Sequence, residues 1–184
     1  MHPSGFHIIV GFPTKLRMCN IFSNEIIPYK EFQNKACREI RFSNGGHLFA
    51  ASNGHMIQVF NFFTGENPPH MFFKGHTGKV RCISWAEDDL GFVSSGMDGA
   101  IKEWRLGEPE PSKVQEFDTK GISYTGLGML QDGTRTIYTI GSDNNIKEIG
   151  ESKVAKELET GTTLSQLEFS KCEALLFAGI SEPG

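Results

Sequence analysis

A histidine, a serine and an aspartate, His76, Ser95 and Asp98, lie close together in the chain. These are the residue types of a hydrolytic triad, in which the histidine accepts the serine proton and the carboxylate orients the histidine. Many serine hydrolases place the nucleophile in a Gly-x-Ser-x-Gly turn, and the sequence contains no such segment. This favours a structural role for the three side chains over a hydrolytic one.

Two other segments resemble ligand-binding motifs and fail on spacing. Residues 75–79 read Gly-His-Thr-Gly-Lys, but a phosphate-binding loop needs an earlier glycine, where Phe73 stands, and a hydroxyl residue after the lysine, where Val80 stands. The segment starting at Asp143 lacks the bidentate glutamate of a calcium loop. No pair of histidines has a metal-ligand spacing. We therefore expect no catalytic residue, cofactor or metal, and a protein that is not an enzyme.

Charge and hydropathy exclude further classes of function. The 18 Lys and Arg residues and 22 Asp and Glu residues give a net charge of −4, whereas a nucleic-acid binder normally carries a basic face. The longest apolar run, residues 174–180, is much shorter than the roughly 18 residues of a membrane helix. The chain shows no signal-peptide pattern, and its cysteines form no Cys-x-x-Cys motif. We expect an intracellular protein with structural thiols and no nucleic-acid or membrane partner.

A repeat along the chain predicts the elements that position these residues. A polar turn followed by a short apolar run recurs about every 39–45 residues, a period typical of propeller blades. It occurs at residues 43–51, 86–96 and 131–141. Each unit reads as four short strands without a helical period. Tight turns are predicted at Asn53-Gly54, at Asp98-Gly99 and at Asp143, because these residue types readily adopt positive φ.

These units predict an all-β fold, a fragment of a β-propeller made of four-stranded blades. Residues 1–184 are expected to form one partial propeller with three complete blades and a partial blade at each end. The complete blades are predicted at 38–73, 79–118 and 122–160, and the partial blades at 1–37 and 161–184. A seven-bladed ring needs about 300 residues. We therefore expect that residues 1–184 do not close a ring on their own and that they are part of a longer protein.

Residues 75–104 resemble a WD repeat, with Gly75-His76 before the first strand, Ser95-Gly96 ending the second and Trp104 in the third. The resemblance implies that His76, Ser95, Asp98 and Trp104 form a hydrogen-bonded structural tetrad. The neighbouring units depart from this pattern. The second repeat has Phe60 for the tryptophan and Asn53 for the aspartate, and the fourth has Ile149 for the tryptophan and Ile140 for the serine.

Longer strings resemble a family of WD-repeat proteins associated with cilia and flagella. The strings are residues 2–5, 42–51, 74–79, 98–104 and 141–149. The resemblance implies a non-catalytic scaffold in the axoneme of motile cilia, binding axonemal proteins such as inner dynein arm components and helping to assemble or anchor those arms. The alternative is a cytosolic WD-repeat adaptor, either a substrate receptor or a peptide reader. A propeller enzyme would need inward-facing acidic and histidine clusters near the strand starts, which the sequence does not show.

Overall fold

The computed structural model describes residues 1–68, 71–108, 113–116, 121–129, 136–150, 153–162 and 164. This part of the chain contains fifteen β-strands. Among the described residues no helix is long and apolar enough to cross a membrane.

The strands form four antiparallel sheets, each built from strands that follow one another in the chain. The first sheet has three strands, β1 (His7–Gly11), β2 (Lys15–Ile21) and β3 (Ile26–Gln33). The second contains β4 (Ile40–Phe42), β5 (Leu48–Asn53), β6 (Met56–Asn61) and β7 (Phe72–Lys74). The third contains β8 (Val80–Trp85), β9 (Gly91–Gly96), β10 (Ala100–Arg105) and β11 (Lys113–Glu116). The fourth contains β12 (Tyr124–Met129), β13 (Ile137–Gly141), β14 (Asn145–Gly150) and β15 (Lys153–Glu159).

These sheets confirm the predicted all-β class and its three four-stranded units. The predicted partial blade at 161–184 lies almost entirely outside the described residues, as does the turn predicted within 131–133.

The core consists of apolar clusters between consecutive sheets. Side chains of a strand alternate between its two faces, so a strand with neighbours on both faces is buried throughout. In β5, Leu48 and Ala50 join the cluster shared with the third sheet, whereas Phe49 and Ala51 join the cluster shared with the first. A third cluster, which includes Val93 and Leu127, joins the third and fourth sheets. The sheets therefore stack face to face like the blades of a propeller.

The predicted tight turns occur, with one difference in length. Gly99 and Asn144 adopt positive φ angles of 74° and 63° in the turns that follow β9 and β13. In the second sheet, Asn53 still belongs to β5 and pairs with Met56, so the turn is shorter and Gly54 is its positive-φ residue. Asn53 consequently does not stand where Asp98 stands in the third sheet.

Candidate functional site: a buried polar network

The candidate site lies at one end of the third sheet. His76 belongs to the connection from β7 to β8, and Asp98 to the turn from β9 to β10. In an antiparallel sheet of sequential strands these two segments lie at the same end. Gly96 makes their approach possible, since a Cβ there would lie 2.5 Å from Asp98 Oδ1 and 2.7 Å from His76 Nδ1.

Three hydrogen bonds connect this turn to the interior of the sheet. Trp104 Nε1 lies 2.7 Å from Ser94 Oγ, Ser94 Oγ lies 2.8 Å from His76 Nε2, and His76 Nδ1 lies 3.0 Å from Asp98 Oδ2. An indole nitrogen can only donate, so Ser94 accepts from Trp104 and donates its own proton to His76 Nε2. The imidazole then donates from Nδ1 to Asp98. Each polar atom of this chain has a partner of the correct type.

The serine of this network is Ser94, so the assignment of Ser95 was wrong. Cross-strand partners share a face, and Ser94 pairs with Lys102 while Phe92 pairs with Trp104, which places Ser94 on the tryptophan face. Ser95 pairs with Ile101 and points to the opposite face, where its buried hydroxyl has no hydrogen-bond partner among the described residues. The alternation of side chains along β9, counted from the turn, was the signal that could have identified Ser94.

Burial and hydrogen bonding set the charges in the network. Burial lowers the pKa of His76, even though the neighbouring Asp98 opposes this shift, so the imidazole is neutral near pH 7. For Asp98, burial alone would raise the pKa, but His76 and the backbone N–H groups of Thr77 and Ala100 outweigh it and hold the pKa below its usual range. The result is a carboxylate next to a neutral histidine.

The order of hydrogen bonds from Ser94 through His76 to Asp98 is that of a hydrolytic triad, but its setting differs. Ser94 is fully buried and its oxygen already accepts the Trp104 indole proton. The hydroxyl is therefore shielded from substrate, and one of its two lone pairs is already occupied. This arrangement holds two strands and a turn together, with the serine oxygen inside the sheet.

The fourth sheet carries an ion pair at the corresponding place. Lys147 Nζ is buried and lies 2.5 Å from an oxygen of Asp143 and 3.5 Å from one of Glu157. Burial would lower the pKa of Lys147, but Asp143 and Glu157 outweigh it and raise the pKa. The buried hydroxyl here is Thr139, which donates to Gly126 O at 2.8 Å, so Ile140 was the wrong counterpart of the serine for the same reason as Ser95.

The second sheet replaces the tryptophan with stacked phenylalanines. Phe60 pairs across the strands with Phe49, as Trp104 pairs with Phe92, and the two rings stack at 4.9 Å. The polar contact is a buried hydrogen bond from Asn34 Nδ2 to Gln58 Oε1 at 2.7 Å. Sequence reasoning found Phe60 but missed this amide pair, because Asn34 lies outside any motif. The three sheets thus bury three different polar groups at equivalent places.

The potential metal ligands and the thiols of the described part of the chain are dispersed. No group of three or more His, Cys, Asp or Glu residues there could hold a metal ion. Cys19, Cys37 and Cys82 are free thiols. Burial raises the pKa of Cys37 and of Cys82 to about 11, which leaves both as unreactive thiols. Cys172 lies outside the described residues.

Comparison with known proteins agrees with this geometry. The family model described as "WD domain, G-beta repeat" matches residues 67–105, which include the polar network and strands β8 to β10. The fold is that of a partial WD-repeat propeller. Among the described sheets, the match covers the unit that contains His76, Ser94, Asp98 and Trp104.

Among curated proteins the chain is similar to relatives with ciliary names. It is 38% identical to cilia- and flagella-associated protein 57 A of Tetrahymena thermophila, over 96% of this chain and 16% of that protein. It is 39% identical to cilia- and flagella-associated protein 57 of Mus musculus, over 98% of this chain and 14% of that protein. The similarity to WD repeat-containing protein 1 of Mus musculus is lower, 29% over 80% of the chain and 25% of that protein. The resemblance predicted from the sequence strings is confirmed, and the chain spans about a sixth of the length of the ciliary relatives.

Proposed function

We propose that this chain supplies blades of a WD-repeat scaffold in the axoneme of motile cilia, where it binds other axonemal proteins and catalyses no reaction. The observation that carries the proposal is the 38–39% identity to proteins named for cilia and flagella, which extends over 96–99% of the chain. The burial of the polar network supports a scaffold, because the residues that most resemble a catalytic triad form structural hydrogen bonds inside the sheet.

The geometry suggests how such a scaffold works. Apolar clusters between consecutive sheets and a polar network within a sheet hold each blade in one position. The turns at both ends of the sheets are then presented on a rigid support, which lowers the entropic cost of binding a partner. No cofactor is needed for this role.

The finer proposal is that the partners include inner dynein arm components and that the protein helps to assemble or anchor those arms. It depends on the family resemblance, which distinguishes this scaffold from a cytosolic WD-repeat adaptor that captures substrates or reads peptides.

Epitope tagging of the gene product in multiciliated cells, followed by its depletion, tests both the axonemal scaffold and the finer proposal about inner dynein arms. We expect the tag along the axoneme and, after depletion, loss of a subset of inner arms in electron tomograms of the doublets. Wild-type protein and a Ser95→Ala variant should both restore the arms, because the Ser95 hydroxyl has no partner among the described residues. A tag in the axoneme with a normal set of inner arms would reject the finer proposal alone. A tag confined to the cytosol, with normal arms and beating after depletion, would reject both and favour the adaptor.

A further inference from the structure

A second group of polar contacts lies at the end of the sheets opposite the buried network, and we call this end the rim. It contains the turn at residues 43–47, between β4 and β5, and the turn at residues 86–90, between β8 and β9. The two turns belong to consecutive sheets, and each leads into a strand that is buried along most of its length.

A single carboxylate, that of Asp89, joins the two turns. Its Oδ1 accepts hydrogen bonds from the backbone N–H of Asn44 at 2.7 Å and from Asn44 Nδ2 at 2.9 Å. Its Oδ2 accepts from the backbone N–H of Gly45 at 2.7 Å. The side-chain nitrogen Asn44 Nδ2 also donates to Ala86 O at 2.7 Å. All of these bonds cross from one sheet to the next.

The local backbone is adapted to this contact. Asp89 has a positive φ of 55°, a conformation that aspartate and asparagine adopt more readily than most residues, and it is only 8% exposed. At Gly45 a Cβ would lie 3.2 Å from Asp89 Oδ2 and 3.1 Å from His47 Nδ1, so glycine allows the close approach.

The turn at 43–47 is held from its other side as well. His2, which precedes the first sheet, accepts the N–H of Ser4 at Nδ1 and therefore donates from Nε2 to Gly46 O at 3.1 Å. The first three sheets are thus connected turn to turn along the rim.

We propose that Asp89 is a positioning residue that locks the turns of the second and third sheets into one rigid rim. Hydrogen bonds to an ionised acceptor are stronger than neutral ones, and here several converge on one shielded carboxylate. The lock fixes the spacing of the exposed side chains beside it, among them His47 and Leu90, whichever partner the propeller binds. It concerns blade geometry only, so it does not depend on the ciliary role.

Hydrogen–deuterium exchange of the chain, read by mass spectrometry, tests the proposal with Asp89→Asn. Asparagine tolerates the backbone conformation, but its side-chain NH2 would face one of the backbone donors, so the charge and part of the bonding are lost. We expect the amides of Asn44 and Gly45 to exchange about tenfold faster or more, with unchanged exchange in the β9–β10 ladder.

The matched control is Asp88→Asn, at the adjacent exposed aspartate, which among the described residues accepts only from the Leu90 N–H within its own turn at 2.9 Å. We expect it to leave exchange at residues 43–47 unchanged. Should Asp89→Asn also expose the β9–β10 ladder, Asn44→Ala, which removes the side-chain bonds to Asp89 and Ala86 and keeps the carboxylate, must still accelerate Gly45 exchange selectively. Unchanged exchange at residues 43–47 in Asp89→Asn, or equal acceleration in the control, would overturn the proposal.

Discussion

A comparison of alanine substitutions at two adjacent serines, Ser94 and Ser95, provides the most discriminating test of the buried network. Ser94→Ala removes the oxygen that both accepts from Trp104 Nε1 and donates to His76 Nε2. Both remaining groups are buried and lose their partner, at about 1–3 kcal/mol for each. We therefore expect Ser94→Ala to lower the free energy of unfolding by about 2–6 kcal/mol.

Ser95→Ala is the matched control, because it makes the same chemical change one residue further along the same buried strand. Its hydroxyl has no hydrogen-bond partner among the described residues, so the change removes an unsatisfied polar atom and costs about 1 kcal/mol or less. Urea unfolding of the chain, followed by circular dichroism, measures both variants.

A Trp104→Phe background separates the two groups that depend on Ser94. Without the indole donor, Ser94→Ala should cost about 1–3 kcal/mol less than in the wild-type chain, a coupling that a double-mutant cycle measures. Equal costs for Ser94→Ala and Ser95→Ala, or a cycle without coupling, would refute the hydrogen-bond chain described above.

Three further predictions concern the same sheets. Burial lowers the pKa of His76, so the unfolded chain binds more protons than the folded chain below about pH 6.5. The free energy of unfolding should fall from about pH 7 to about pH 5, and less steeply in His76→Asn; equal slopes would contradict this. Trp104→Ala should cost about 3–5 kcal/mol in urea unfolding, because it empties a fully buried volume, and a cost below about 1 kcal/mol would contradict its place in the core. Lys147→Met should cost about 1–3 kcal/mol, because it leaves the partly buried Asp143 without its cation; a more stable variant would show that the ion pair does not stabilise the fourth sheet.

Much of the architecture could be predicted from the chain because its signals are local. The turn at Asp98-Gly99 and the strand that contains Trp104 recur at a constant interval as the turn at Asp143 and the strand that contains Ile149. That period already implies four-stranded blades. The all-β class and the WD-repeat resemblance followed from these signals.

The residues that were predicted wrongly are those whose face in the sheet depends on the register of strand pairing. Ser95 was selected from its spacing to Gly96, but the face of a strand alternates with each residue, and only the pairing of Ser94 with Lys102 shows which serine faces Trp104. A shift by one residue exchanges the two faces completely. The same shift replaced Thr139 by Ile140 in the fourth sheet.

The sequence by itself determined the repeat, the division of each unit into four short strands and the residue types of the tetrad, because these depend on neighbours along the chain. Only the tertiary structure decided that Ser94 completes the hydrogen-bond chain, that Asn34 meets Gln58, and that Asp89 reaches Asn44 in the preceding sheet. Each of these contacts joins side chains far apart in sequence. Whether such side chains meet depends on the pairing of strands and the stacking of sheets, and no local pattern encodes that information.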